Sequence, residues 1–178
     1  MGAQVKTFEP FSRRRGSHFF SKGRQGFYLS IDPGACTGWA VWFTETGRPR
    51  LVAAGIGEPP FEQVDACLAE AVIECPQVYP RSPVPPNDLI TLAVLVGRYA
   101  EACVQAADRD HDRVRLVLPH AWKGSVPKEV TAKRVLAALS PDELAVLEEA
   151  YEDIPKGLRH NLLDAVGIGL HAYRAHGK

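Results

Sequence analysis

The order of its elements predicts an α/β fold for this chain: a mixed five-stranded sheet flanked by helices, spanning residues 25–178 behind a basic arm at 1–24. Three observations predict it. After the arm come three short runs rich in β-branched and aromatic residues, separated by turn-forming Gly, Pro and Thr. Further on, strand-like runs alternate with segments of helical spacing. The last long segment is apolar over much of its circumference, as a helix covered by a sheet must be.

Phe27 to Ile31, Gly38 to Thr44 and Leu51 to Ile56 read as a three-stranded meander. Its first turn carries Pro33-Gly34 and Gly38, its second Thr46-Gly47-Arg48-Pro49. Phe61 to Glu70 reads as a helix and Ala71 to Glu74 as the fourth strand, closed by Pro76. Asn87-Asp88 opens a long helix with Leu89, Leu92, Val96, Tyr99 and Cys103 at helical spacing, ending near Asp108. Arg113 to Leu118 is the last strand, and Val130 to Leu139 is helical. Ser140-Pro141-Asp142-Glu143 then caps an acidic, solvent-facing helix, and Arg159 to Tyr173 closes the fold as a helix.

At 178 residues, 46% hydrophobic and 24% charged, the chain is long enough for a sizeable core and ordinary enough to be globular. Its apolar stretches are broken by charge or Pro well short of the ~20 residues of a spanning helix, so no membrane partner is expected. The N-terminus lacks the apolar core of a signal peptide. Cys36, Cys67, Cys75 and Cys103 show no zinc-type pairing, and reduced cysteines in a cytoplasmic protein are the economical reading. The chain is formally neutral, yet residues 1–24 hold six Lys and Arg, Arg13, Arg14 and Arg15 among them, against Glu9 alone. With Phe8, Phe11, Phe19 and Phe20 interleaved, that arm suits phosphate contact and stacking, or is a mobile tail or a subunit-contact arm.

Three acids stand where the surrounding pattern is apolar. Asp32 ends the first strand, at the turn opened by Pro33-Gly34. Glu74 ends the fourth. Asp164 lies inside the C-terminal helix among Leu162, Leu163, Val166 and Gly167, with no Lys or Arg one turn away and His160 one turn earlier. A carboxylate in such a place is costly unless it pairs, hydrogen-bonds or binds a cation. Taken singly, each could be a turn former or an exposed edge residue. Taken together they suit a hard divalent ion, which takes oxygen ligands. Without a cation, clustered carboxylates raise one another's pKa, so metal addition is expected to stabilise the fold.

Ile31-Asp32-Pro33-Gly34 with Thr37-Gly38-Trp39-Ala40-Val41, then Val72-Ile73-Glu74, then Asp164-Ala165 in a C-terminal helix, resembles the RuvC branch of the RNase H-like nucleases. The resemblance runs from about Phe27 to His171. It implies an RNase H-like fold and a Holliday junction resolvase: a structure-selective DNA endonuclease of recombination and repair. It further implies two Mg2+ or Mn2+ ions per active site, a homodimer acting on four-way junctions, and a cytoplasmic protein of bacterial or phage origin. Carried across, Asp32 would bridge both metals, Glu74 would be the acid ending the fourth strand, and Asp164 the last helical acid. The family places a further Asp or His about three residues before the last acid. Here that place holds Asn161 with His160 beside it, and His160 is favoured because imidazole is the better ligand and base.

Two loops are candidate phosphate contacts. Gln77 to Pro86 carries Tyr79 and Arg81 between prolines and is either a groove lining or a rigid crossover. Pro119 to Lys128, with Lys133-Arg134 beyond it, offers Lys123, Lys128, Lys133 and Arg134 to a DNA backbone, in the place where RuvC-like chains carry a basic residue. Other readings remain open. They are the RuvC-like anti-terminator branch, which would process RNA, and a non-catalytic nucleic-acid-binding protein on the same fold. The Asp32 hairpin also resembles the first phosphate loop of the actin and sugar-kinase ATPases, but no second Gly-rich hairpin accompanies it.

Overall fold

The first strand, β1 (Gly26–Asp32), lies at the centre of a five-stranded sheet. β2 (Gly38–Thr44) pairs with it antiparallel and β3 (Arg50–Ile56) pairs antiparallel with β2. On the other side β4 (Leu68–Glu74) runs parallel to β1 and β5 (Val114–Val117) parallel to β4, giving the spatial order β3-β2-β1-β4-β5. A meander extended by two parallel strands is the mixed five-stranded sheet that the sequence predicts. This computed structural model describes residues 25–45, 48–65, 67–78 and 85–174. Arg13, Arg14, Arg15, Tyr79 and Arg81 lie outside them.

Side chains alternate across a strand, so each strand feeds two cores. Phe27, Leu29 and Ile31 of β1 with Ala71 and Ile73 of β4 meet α1 (Phe61–Val64) and α2 (Pro86–Ala106) through Val64, Val96, Tyr99 and Cys103. Tyr28 of β1, Trp42 of β2 and Val72 of β4 face the opposite way. They meet α4 (Lys128–Leu136), α5 (Pro141–Glu152) and α6 (Arg159–Arg174) through Val135, Leu147, Leu162 and Val166. Leu29, Ile31 and Ile73 are sealed completely, each such burial contributing roughly 1.5–3 kcal/mol.

Three expectations change. The helix read over Phe61 to Glu70 is one turn, α1, because Leu68 onward pairs with β1. The segment after β5 is not all loop. Pro119–Lys123 forms a short helix, α3, begun by Pro and ended by Gly124 at a positive φ of 64°. The acidic helix α5 has the expected capping box, yet its Glu143 is buried rather than solvent-facing, with 1% exposure. By length and composition α2 could also cross a membrane, with Arg98 and Glu101 interrupting its apolar run.

Candidate active site

Asp32 and Glu74 end neighbouring parallel strands at the same edge of the sheet, since Ile31 stands opposite Ile73. Adjacent strands lie about 4.8 Å apart. Parity puts Asp32 on the face of Tyr28 and Ser30, and Glu74 on the face of Val72, which is the face covered by α6.

α6 reaches this edge with its first turn. Gly38 at the start of β2 leaves no room for a side chain: a Cβ there would stand 2.0 Å from the Asn161 carbonyl oxygen. At the other end Tyr173 donates its hydroxyl to the Leu29 carbonyl at 2.7 Å. Between them Gly169 lets the helix settle on Trp42 and Ser30, whose side chains share a 3.0 Å hydrogen bond. Asp164, one turn beyond Asn161, is therefore held over the ends of β1 and β4.

The loop after Asp32 is fixed on both sides. Thr37 is buried, and its hydroxyl meets the Gly34 carbonyl at 3.1 Å and the Tyr99 hydroxyl of α2 at 3.1 Å. Asn161 donates its side-chain Nδ2 to the Cys36 carbonyl at 2.8 Å.

Electrostatics tie the three acids together. Burial first, then the Glu74 and Asp164 carboxylates, push the Asp32 carboxyl up to about 8 against the pull of Lys123 and Lys128. Burial also raises Asp164, opposed by Lys123, Lys128 and His160. The Lys123 ammonium lies 3.3 Å from Glu74 Oε2 and 3.9 Å from Asp164 Oδ2, bridging the two. Trp122 donates its indole N–H to the same Glu74 oxygen at 2.5 Å. An open cleft of ≈ 210 Å³ adjoins the cluster, lined by Lys128, Glu129, Ala132, His160, Leu163 and Asp164.

The acids do not converge on one point. Among the described residues, no group of three His, Cys, Asp or Glu side chains is placed to hold a metal ion. The donor chemistry nevertheless fits a hard cation. Asp32 is half-buried and accepts no hydrogen bond from the described residues, and a proton or a nearby positive charge would offset what burial costs such a carboxylate. Part of that charge now comes from Lys123. Its ammonium, on a side chain 31% exposed, faces Glu74 and Asp164.

The other expected residues separate. His160 lines the cleft beside Asp164, whereas the Asn161 amide is turned to the Cys36 carbonyl. Lys128 opens α4 at the cleft. Lys133 and Arg134 are exposed in its last turn, about 140° and 120° around the helix from Lys128 at ~100° per residue. All four cysteines are free; Cys103 is buried, with its thiol pushed up to about 12 by burial, while Cys36 and Cys75 are only half-buried.

Sequence reasoning missed Trp122, Gly38's steric role and Gly167, whose Cβ would stand 2.5 Å from the Trp122 ring. The signal for Trp122 was present: Pro119 and Gly124 bracket a helix of one turn.

No family model matches the chain, and no curated protein matches it. Eleven chains of solved structures do. One is the structure of Thermus thermophilus RuvC, 22% identical, with a TM-score of 0.48 over 84% of this chain and 95% of that one.

Proposed function

We propose that the protein is a metal-dependent, structure-selective DNA endonuclease of the RuvC type that resolves four-way junctions as a homodimer. The observation that carries this reading is that acids from the ends of β1 and β4 and from α6 lie near enough for Glu74 and Asp164 both to act on the half-buried Asp32 carboxyl. Asp32, Glu74 and Asp164 would hold Mg2+ or Mn2+, with His160 the better-placed fourth donor and Asn161 its alternative. Bound divalent ions supply an activated water and neutralise charge on the leaving oxygen of a phosphodiester. Lys128, at the mouth of the cleft, would meet the scissile strand. Lys133, Arg134, Arg81 and the basic arm at Arg13, Arg14 and Arg15 would meet backbone phosphates farther out. Lys123 joins the phosphate contacts once it leaves the acids.

A second copy is supported by apolar surface. Ile90 and Val94 of α2 are 61% and 60% exposed, and Leu116 of the edge strand β5 is 54% exposed. Two active sites related by a two-fold axis suit a symmetric junction.

One observation favours a second reading, a junction-binding protein that does not cut: Lys123 already neutralises two of the three acids. Incubating the protein and Mg2+ with a synthetic four-way junction, a duplex, a flap and an RNA–DNA hybrid separates the readings. Selective junction cutting, lost in Asp32→Asn while binding persists, is the expected result. Tight junction binding without cutting selects the second reading, and preferential cutting of the hybrid selects the RNA-processing branch.

A further inference from the structure

We infer that Trp122 is the positioning residue for Glu74, and that Gly167 of α6 seats it. This rests on the proposed metal-binding role of the acids. A glutamate at a strand end has three rotatable bonds and nothing in the strand to orient its carboxylate. Trp122 Nε1 reaches Glu74 Oε2 at 2.5 Å, and Lys123 Nζ reaches the same oxygen at 3.3 Å. Both donors load one oxygen, so Oε1 accepts from none of the described residues.

The two donors differ in what they can do. Lys123 ends a flexible chain and carries a charge that a metal ion would repel, so a bound ion would displace it from the carboxylates and from its place over the Trp122 ring. Trp122 is neutral and rigid. Its ring lies so close to α6 that a Cβ on Gly167 would stand 2.5 Å from one ring carbon, and the same Cβ would stand 3.0 Å from Val135 of α4. The indole is therefore wedged while its N–H points at Glu74. Gly167 and Asp164 are three residues apart on one face of α6, so a single ring refers Glu74 to the helix that carries Asp164. An outer-shell donor of this kind is typically worth about 10- to 100-fold in metal affinity.

The test is Mn2+ binding by the full chain, read from the EPR signal of free Mn2+. Three variants are compared with wild type: Trp122→Phe; Trp122 replaced by 3-benzothienylalanine, which keeps the ring shape and loses only the donor; and Val135→Ala, which loosens the packing and keeps the donor. The dissociation constant is expected to rise about tenfold or more in both Trp122 variants and to stay near wild type in Val135→Ala. Wild-type affinity in the benzothienyl variant overturns the positioning role, as does an equal loss in Val135→Ala. If wild type itself takes up no Mn2+, the metal-dependent reading falls and this role with it, an outcome distinct from both.

Discussion

Asn161 and Cys36 are joined across the site by a 2.8 Å hydrogen bond from the side-chain Nδ2 to the backbone carbonyl. The bond fastens the first turn of α6 to the loop that begins at Asp32, although 125 residues separate the partners. Gly38 completes the same joint by bringing the β2 backbone against the Asn161 carbonyl.

Loosening that joint should move Asp164 relative to Asp32. Asn161→Ala is expected to cost about 1 kcal/mol, the net value of one hydrogen bond. Gly38→Ala is expected to cost several times more, because its Cβ would meet backbone at 2.0 Å and backbone yields least. Urea unfolding checks the order; a Gly38→Ala protein as stable as wild type contradicts the packing described.

The raised Asp32 pKa makes metal-free stability depend on pH in a definite direction. Its folded value of about 8 lies above the ~3.9 of an unfolded Asp. Between those values the folded state holds a proton that the unfolded state releases. Stability therefore falls as pH rises from about 4 to about 8, then levels off. Asp32→Asn should melt higher than wild type at pH 9 in chelator, by an amount on the order of a few kcal/mol, with the gap closing near pH 4. Thermal scans at both pH values decide it.

Glu143 ties α5 to β3. Its carboxylate accepts from Arg48 Nη2 at 2.7 and 2.8 Å, from the Leu51 amide at 3.1 Å and from the Ser140 amide at 2.8 Å. Burial raises its pKa, but the Ser140 and Leu51 amides and Arg48 outweigh burial, and the net shift is downward. The stability it supplies is full above the usual ~4.3 of a glutamate and is lost as pH falls through the lowered value. Glu143→Ala is expected to cost roughly 2–3 kcal/mol at pH 7, the penalty of stranding buried amides. The cost of stranding a buried charge does not apply, because Arg48 is half-exposed and can rehydrate. The variant should also show a flatter acid limb in denaturant titrations.

What was legible in the sequence were contrasts within short windows. Asp32, Glu74 and Asp164 stood out because their neighbours are apolar, and the strands of the meander because alternation and turn residues agree. Leu68 to Glu70 were misread because alanine-rich runs suit helix and strand alike, and pairing of Leu68 onward with β1 settled the matter. The capping box of α5 was legible from Ser140 and Glu143, but the partner that buries Glu143 lies 95 residues away. The Lys123 charge is likewise visible in the sequence, whereas its position beside two carboxylates is a property of the fold.

The exposed apolar stripe of α2 predicts a dimer. Light scattering behind size exclusion should give twice the chain mass, and the double variant Ile90→Lys, Val94→Lys should give a folded monomer by circular dichroism. A monomeric wild type contradicts the proposed homodimer.

Crystals soaked in Mn2+ and measured at its absorption edge test the central claim most directly. The account predicts anomalous peaks bounded by Asp32, Glu74 and Asp164, at roughly 2.0–2.3 Å from their oxygens, with the Lys123 ammonium displaced from Glu74 and Asp164. No peak at a saturating soak, with Lys123 still bridging those two carboxylates, would contradict it.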